Sequence, residues 1–171
     1  MSHIRVGILM GSDSDLGVMK EAARVLDELG VANEVRVISA HRTPTQAAAY
    51  AEAAGARGLD VVIAGAGGAA HLAGVIAAFT PLPVIAVPIK TPALQGLDSL
   101  LAMVQMPSGV PVATVAIDGA KNAGILAAQI VGVGDAEVRQ NVIAYKKSLE
   151  ESVVEKANRL ERGGWENYRK S

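Results

Sequence analysis

The sequence has 171 residues, 16 Lys and Arg against 17 Asp and Glu, and a formal net charge of -1. This length suits a single domain, and the balanced charge argues against a basic surface that binds nucleic acid. The sequence contains no Cys, which excludes disulfides, zinc–thiolate sites and a thiol nucleophile.

Apolar runs and helical periodicity alternate along the chain. The expected strands are residues 4–10, 35–38, 60–64, 84–87 and 112–116, and the expected helices are residues 16–29, 45–56, 69–79, 99–105 and 122–131. Repeated βα units favour parallel strands, and continuous apolar runs favour a sheet that is covered on both faces. The prediction is an α/β fold, a flavodoxin-like three-layer αβα sandwich whose central parallel sheet has the order 2-1-3-4-5.

The middle of the chain is almost free of charge. Residues 61–89 contain no Asp, Glu, Lys or Arg. This segment is long enough to span a membrane, which needs about 20 residues. Glycines and prolines such as Gly67, Pro81 and Pro83 would leave backbone groups unpaired in lipid. We therefore interpret this segment as a buried strand, helix and strand. Residues 1–5 show no signal-peptide pattern, so the prediction is a cytoplasmic protein with no membrane partner.

Residues 135–171 form a different kind of segment. A highly charged helix of about 25 residues, about 38 Å long, is expected there. Its apolar stripe consists of Val138, Val142, Tyr145, Leu149, Val153, Ala157 and Leu160. We predict one domain over residues 1–171, with an α/β core in residues 1–134 and a C-terminal extension in homo-oligomer contacts. A monomer whose long helix folds back across the domain is the alternative.

Candidate functional residues follow the first three strands. Ligands of open parallel sheets bind beyond the carboxyl ends of the strands, and the order 2-1-3 makes these loops neighbours. The loops are Gly11-Ser12-Asp13-Ser14-Asp15, Ser39-Ala40-His41-Arg42-Thr43-Pro44 and Gly65-Ala66-Gly67-Gly68-Ala69-Ala70-His71-Leu72. Their hydroxyls, backbone amides and guanidinium suit a small phosphorylated ligand. Asp13 or Asp15 could accept hydrogen bonds from ribose hydroxyls.

Each of these residues also has an ordinary structural interpretation. Ser12 and Asp15 could simply cap a helix, Arg42 could be a surface charge, and His71 could pack beside a glycine turn. The convergence of three loops favours the functional interpretation. His41 is the candidate for proton transfer, because an unperturbed histidine has a pKa of about 6.5.

Common sequence motifs of other enzyme classes are incomplete or missing in this chain. Residues 65–70 satisfy G-x-G-x-x-A, but the acid expected about 20 residues later is missing from residues 85–88, which disfavours NAD. The sequence contains no G-x-x-x-x-G-K-[ST], H-E-x-x-H or G-x-S-x-G pattern. An ATPase phosphate loop, a metal site and a serine hydrolase are therefore disfavoured.

In combination, the three loops resemble the PurE family of bacterial purine synthesis. The similarity extends over almost the whole chain and includes Asp98-Ser99-Leu100-Leu101 and Val104-Gln105-Met106-Pro107. The resemblance implies a flavodoxin-like homo-octamer with a small nucleotide substrate, no metal and no organic cofactor. It also implies a mutase reaction, in which a carboxylate moves from the exocyclic nitrogen of aminoimidazole ribonucleotide to ring carbon C4.

The resemblance also implies roles for individual residues. His41 would be the general acid and base, Ser12, Asp15, Ser39 and Arg42 would hold the ribose 5-phosphate, Ser14 would also bind substrate, and Gly67, His71 and Leu72 would line the carboxylate and base end. A second class of the family carboxylates aminoimidazole ribonucleotide directly with CO2. That class carries Lys in place of Arg42 and lacks the Ala69-Ala70-His71-Leu72 stretch. We therefore interpret this chain as a mutase, with the carboxylase as the alternative.

Two positions depart from the mutase pattern. Ala73 stands where the pattern has Pro, and Ala86 where it often has Gly. The first substitution leaves the stiffness of the loop behind His71 open. A non-catalytic nucleotide-binding module on the same fold is a third hypothesis, since a fold does not fix a function.

Overall fold

In the computed structural model, which describes residues 3–169, one five-stranded sheet lies at the centre of the chain. The strands are β1 (Val6–Met10), β2 (Asn33–Val37), β3 (Val61–Gly67), β4 (Val84–Ile89) and β5 (Ala113–Thr114). They pair in the order β2-β1-β3-β4-β5, and every pair is parallel. The predicted α/β fold and strand order are confirmed.

Helices cover the two faces of the sheet. They are α1 (Leu16–Glu28), α2 (Pro44–Ala54), α3 (Leu72–Phe79), α4 (Leu97–Val104), α5 (Ala120–Gly134) and α6 (Ala136–Gly163). Because side chains alternate between the faces of a strand, Ile8 packs with α1, α5 and α6 in one core, and Leu9 packs with α2, α3 and α4 in the other. This arrangement is the predicted three-layer sandwich.

The uncharged segment forms the centre of this sandwich. Residues 61–89 fold into β3, α3 and β4, as predicted, and every residue of β4 is buried. Within residues 3–169, no helix combines the length and the hydrophobicity that crossing a lipid bilayer requires.

The edge strand β2 differs from the expectation that both faces of the sheet are covered. Val35 and Val37 are 41% and 55% exposed, and the charged residues Glu34 and Arg36 alternate with them. The expectation is therefore wrong for β2. An edge strand has a neighbour on one side only, and charged side chains there discourage pairing with other chains.

β5 is shorter than the predicted strand over residues 112–116. Val115 donates its amide hydrogen to the carbonyl oxygen of Ala86 at 3.0 Å. Every second residue of β4 bonds to β5, so after Ala86 the next residue whose amide should donate to β5 is Pro88. Proline has no amide hydrogen, and the ladder between β4 and β5 therefore ends there.

The long helix α6 packs against α5 over its first turns and then leaves the core. The Asp135 carboxylate accepts hydrogen bonds from the amides of Glu137 and Val138, each at 3.1 Å, and from Arg5 Nη1 at 2.6 Å. Arg5 also binds Asp60 through Nε at 2.6 Å. The helix has 28 residues. In its apolar stripe, Val138 and Val142 are buried, whereas Leu149, Val153 and Leu160 are exposed.

Candidate active site

A cleft of about 460 Å³ lies at the carboxyl ends of the first three strands. Its walls are formed by Gly11, Ser12, Ser14, Asp15, Ser39, Ala40, His41, Arg42, Ala66, Gly67, Ala69, Leu72 and Thr91. β1 and β3 are adjacent there, and their connections diverge, which is where ligands bind in doubly wound sheets. The structure thus brings eight of the nine candidate site residues to one cleft, and the ninth, His71, contacts His41.

The first wall is a serine- and aspartate-bearing turn that follows β1. Ser12 accepts a hydrogen bond from the Ser14 amide at 3.4 Å and caps the short 3₁₀ turn Asp13–Asp15. Asp15 precedes α1 but makes no capping hydrogen bond through its side chain. The capping interpretation therefore holds for Ser12, which also lines the cleft, and is wrong for Asp15.

The Asp15 carboxyl lies in a partly desolvated position. Burial raises its pKa, and a hydrogen bond from the Ser14 hydroxyl, 3.2 Å long, opposes that increase. A carboxylate placed at the cleft in this way can accept hydrogen bonds from a ligand's hydroxyl groups.

Arg42 connects the loops that follow β1 and β2. Its Nη2 donates to the carbonyl oxygen of Gly11 at 2.9 Å, and its backbone amide donates to Ser39 Oγ at 3.2 Å. The guanidinium is the cationic group on the wall of the cleft. Its planar array of N–H donors matches phosphate oxygens.

Two imidazole rings meet where the second and third loops approach each other. His41 Nε2 lies 3.0 Å from His71 Nδ1, and the rings are edge to face with centroids 5.1 Å apart. A hydrogen bond between two ring nitrogens needs one donor and one acceptor, so at least one ring lacks a proton at this contact. The pair can therefore both accept and donate a proton.

The third loop is a glycine turn that follows β3. Gly68 has a φ of +66°, which favours glycine because a Cβ is strained in this conformation. The amide of Ala70 donates to the carbonyl oxygen of Gly68 at 2.8 Å, and the amide of His71 donates to that of Ala69 at 2.9 Å. These tight turns delay the helix, so α3 begins at Leu72 and not at residue 69 as predicted.

Thr91 is a cleft residue that the sequence reasoning missed. It follows β4, and a Cβ on Gly67 would lie only 2.9 Å from its Cγ2. The predicted strand order contained the signal, because β4 neighbours β3 and its loop must reach the same edge of the sheet. The cleft is also lined by Gly11, Ala40, Ala66 and Ala69, to which no individual role was assigned from the sequence.

Two further observations bear on alternative sites. Within residues 3–169, no three His, Cys, Asp or Glu side chains come together as metal ligands would. A wider groove of about 840 Å³ lies along the outer half of α6, and every residue lining it belongs to that helix. A single helix provides no opposing wall, so this groove cannot surround a small ligand.

The sequence of the chain is similar to those of known proteins over most of its length. The AIR carboxylase family matches residues 5–152. The N5-carboxyaminoimidazole ribonucleotide mutase of Pyrococcus horikoshii is 63% identical over 95% of this chain and 92% of the relative. The mutase of Thermotoga maritima is 58% identical over 96% of each chain.

Solved structures agree with the sequence comparison. The crystal structure of Treponema denticola PurE has a TM-score of 0.81 and 31% identity, and the match covers 91% of this chain and 97% of that one. Fold, sequence and the position of the cleft all lead to one assignment: the chain belongs to the AIR carboxylase family, which is the PurE family that its loops resemble.

Proposed function

We propose that the protein is a mutase of purine biosynthesis that converts 5-(carboxyamino)imidazole ribonucleotide into 4-carboxy-5-aminoimidazole ribonucleotide. The observation that carries this proposal is the contact of 3.0 Å between His41 and His71 beside a cleft that also contains Arg42. The printed names of the Pyrococcus and Thermotoga relatives support the same reaction.

The ribose 5-phosphate is assigned to the end of the cleft at Ser12, Ser39 and Arg42. The guanidinium has five N–H donors, and the one that binds the Gly11 carbonyl oxygen at 2.9 Å holds the group at the cleft wall. Other donors then serve the phosphate oxygens, together with the serine hydroxyls. Ser14 completes this wall, and Asp15 accepts hydrogen bonds from the ribose hydroxyls.

The carboxylate and the imidazole base are assigned to the opposite end, beside Gly67, His71 and Leu72. The C–N bond of the carbamate breaks there and releases CO2, while the imidazole pair gives a proton to the exocyclic nitrogen. The electron-rich carbon C4 of the aminoimidazole then attacks the CO2, and His41 removes the proton from C4. One proton is taken up and one is released, so the imidazole pair returns to its starting state.

Containment accounts for much of the catalysis in this scheme. The released CO2 must stay against C4 until the new bond forms, and holding two reactants in place removes most of the entropic cost of their encounter. Excluding water also protects the intermediate from escape. The narrow turn formed by Gly67 and Gly68 brings backbone close to this end of the cleft.

The direct CO2-dependent carboxylase is the second candidate, since AIR carboxylase is the description of the family. Arg42 and the stretch that contains His71 favour the mutase. The two activities differ in the source of the transferred carboxylate, which can be followed with an isotope.

The test uses the purified protein and a nucleotide labelled with ¹³C in its carbamate carboxyl, in buffer freed of CO2 and bicarbonate. A mutase forms product that retains the label. A carboxylase forms product only from aminoimidazole ribonucleotide with added bicarbonate, and its product carries unlabelled carbon. Binding of either nucleotide without turnover would support the non-catalytic module and refute both enzyme assignments.

The assembly is proposed to be a homo-oligomer, and the family resemblance favours an octamer. The exposed apolar residues Leu149, Val153 and Leu160 on α6 support this assignment, because a long helix with an apolar stripe outside its own core is typical of subunit contacts. Sedimentation measurements test it. The cytoplasmic location, the absence of metal and cofactor, and the division at residue 134 stay predictions.

A further inference from the structure

Ser99 is the one buried polar residue among residues 3–169, and its exposed fraction is 0%. It lies in the first turn of α4, bonds to the glycine turn and does not line the cleft. The reaction scheme above gives it no role. A buried hydroxyl must be hydrogen bonded to be tolerated, so its partners show what it does.

The Ser99 hydroxyl is bonded to two strand ends. Its oxygen accepts from the amide of Gly68 at 2.9 Å, and its hydrogen is donated to the carbonyl oxygen of Ile89 at 2.8 Å. The direction of both bonds is fixed, because an amide can only donate and a carbonyl oxygen can only accept.

These two partners are the groups that would otherwise bond to each other. In the ladder between β3 and β4, the amide of Val62 donates to the carbonyl oxygen of Pro83 at 3.0 Å, and Gly67 pairs with Ile89. Every second residue of a parallel strand repeats this bond. If the ladder continued past Gly67 with a bond at every second residue, the Gly68 amide would donate to the Ile89 carbonyl oxygen. The Ser99 hydroxyl is inserted between them.

We propose that Ser99 is a positioning residue that separates β3 from β4 and thereby directs the glycine turn into the cleft. With the ladder interrupted, Gly68 adopts its φ of +66° and the chain turns toward His41. The same turn carries Gly67 and Leu72 to the cleft wall and His71 to its contact with His41. The expected effect of Ser99 on turnover rests on the proposed function, whereas its expected effect on the position of the glycine turn does not.

Neighbouring contacts hold Ser99 in place. The Asp98 carboxylate accepts from the Ser99 amide at 2.9 Å and from the hydroxyl of Thr91 at 3.4 Å. Thr91 in turn packs against Gly67. The start of α4, the loop after β4 and the glycine turn therefore form one hydrogen-bonded unit behind the carboxylate end of the cleft.

The test compares Ser99→Ala with Thr114→Val. Thr114 Oγ1 donates to the carbonyl oxygen of Met103 at 3.3 Å, so the second variant removes a hydroxyl that contacts the same helix at its other end. In Ser99→Ala, Gly68 and Ile89 can bond directly, which pulls the turn toward β4. Since a displacement of about 1 Å can cost about 100-fold in rate, we expect kcat to fall about 10- to 100-fold, with KM changed less than about threefold because the phosphate end is intact.

A second measurement is independent of the reaction. In the ligand-free protein, Ser99→Ala should shift the NMR signals of the Gly68 and Ala69 amides and of the His71 ring, whereas Thr114→Val should leave them unchanged. Unshifted signals in Ser99→Ala, or equal losses of kcat in both variants, would overturn the proposal. A wild-type protein without turnover would refute the proposed function alone, since the NMR comparison still decides the role of Ser99. If Ser99→Ala does not fold, Ser99→Cys keeps a weak donor and acceptor at the same position, weakens both bonds and is subjected to the same two measurements.

Discussion

His41 Nε2 and His71 Nδ1 lie 3.0 Å apart, although 30 residues separate them in the sequence. Neither ring is enclosed by the core, and both belong to the layer of loops above the sheet. The proposed reaction needs a group that exchanges a proton with substrate carbon C4 and regains its starting state, and a pair of contacting imidazoles meets that need. Four consequences of this site, and one of the exposed stripe on α6, can be measured.

Replacing His41 by Asn should abolish turnover while binding persists. We expect kcat to fall about 100- to 10,000-fold, the range typical for loss of a general acid or base, and the Kd for the nucleotide to change less than about threefold. Steady-state kinetics and calorimetry measure the two quantities. His3→Asn is the matched control, because His3 bonds to the Gly58 carbonyl oxygen at 3.0 Å and does not line the cleft. Retained activity in His41→Asn would remove His41 from the mechanism.

Replacing Arg42 by Ala should weaken substrate binding. Charged hydrogen bonds contribute about 1.5–3 kcal/mol, so the Kd for the nucleotide should rise about 10- to 100-fold. Arg24→Ala is the control, because Arg24 pairs with Glu21 at 2.6 Å on α1 and is not part of the cleft wall. Equal affinity in wild type and Arg42→Ala would show that the phosphate lies elsewhere.

Gly68→Ala should be destabilising for a reason that concerns the backbone alone. No atom lies within 4 Å of the added Cβ, but the φ of +66° costs an L-residue about 1–2 kcal/mol. Urea unfolding should show a loss of that size. Gly55 is the matched control, because it has helical dihedral angles and equally open space. Gly55→Ala should therefore be neutral or stabilise by up to about 1 kcal/mol. A neutral Gly68→Ala would contradict the strained-turn explanation.

Asp15→Asn should increase stability at neutral pH and decrease nucleotide binding. Burial raises the pKa of Asp15 above its ordinary value of 3.8, so the folded protein holds this proton more tightly than the unfolded chain. Stability from this group is therefore greatest below pH 3.8 and falls as pH rises through the raised pKa. We expect Asp15→Asn to gain less than about 1 kcal/mol at pH 7, because the carboxyl is partly solvated.

Urea unfolding of Asp15→Asn and of the wild type, at about one-unit steps between pH 4 and pH 7, measures how the gain in stability changes with pH. Asp13→Asn removes one negative charge from an exposed neighbouring position. A gain of the same size in both variants would show that net charge, and not burial, is responsible.

Oligomer formation should depend on the outer half of α6. Val153 is 65% exposed there and belongs to the apolar stripe. Val153→Glu should therefore lower the molecular mass measured by sedimentation while leaving the helix content unchanged. Glu150→Gln is the control on the same helix. An unchanged mass in Val153→Glu would exclude this stripe as a subunit contact.

The parts of the fold that local patterns control were predictable. The apolar run of β1 and the helical spacing in α1 are visible within a short window of sequence, and the repeated βα order is enough to favour parallel pairing. Local rules failed where a distant partner decides the outcome. β5 ends early because Pro88 on another strand lacks an amide hydrogen, and α3 begins late because Gly68 takes a left-handed conformation.

The sequence alone determined the parallel order of the strands, and it placed His41, Arg42 and the serine- and glycine-bearing loops at one edge of the sheet. Residue type and periodicity are local properties, and the carboxyl ends of parallel strands necessarily share an edge. Only the tertiary structure decided that His41 contacts His71, that Thr91 joins the cleft, and that the Ser99 hydroxyl stands between Gly68 and Ile89. Such contacts depend on strand register and helix packing to within about 1 Å, which local patterns of residue type do not reveal.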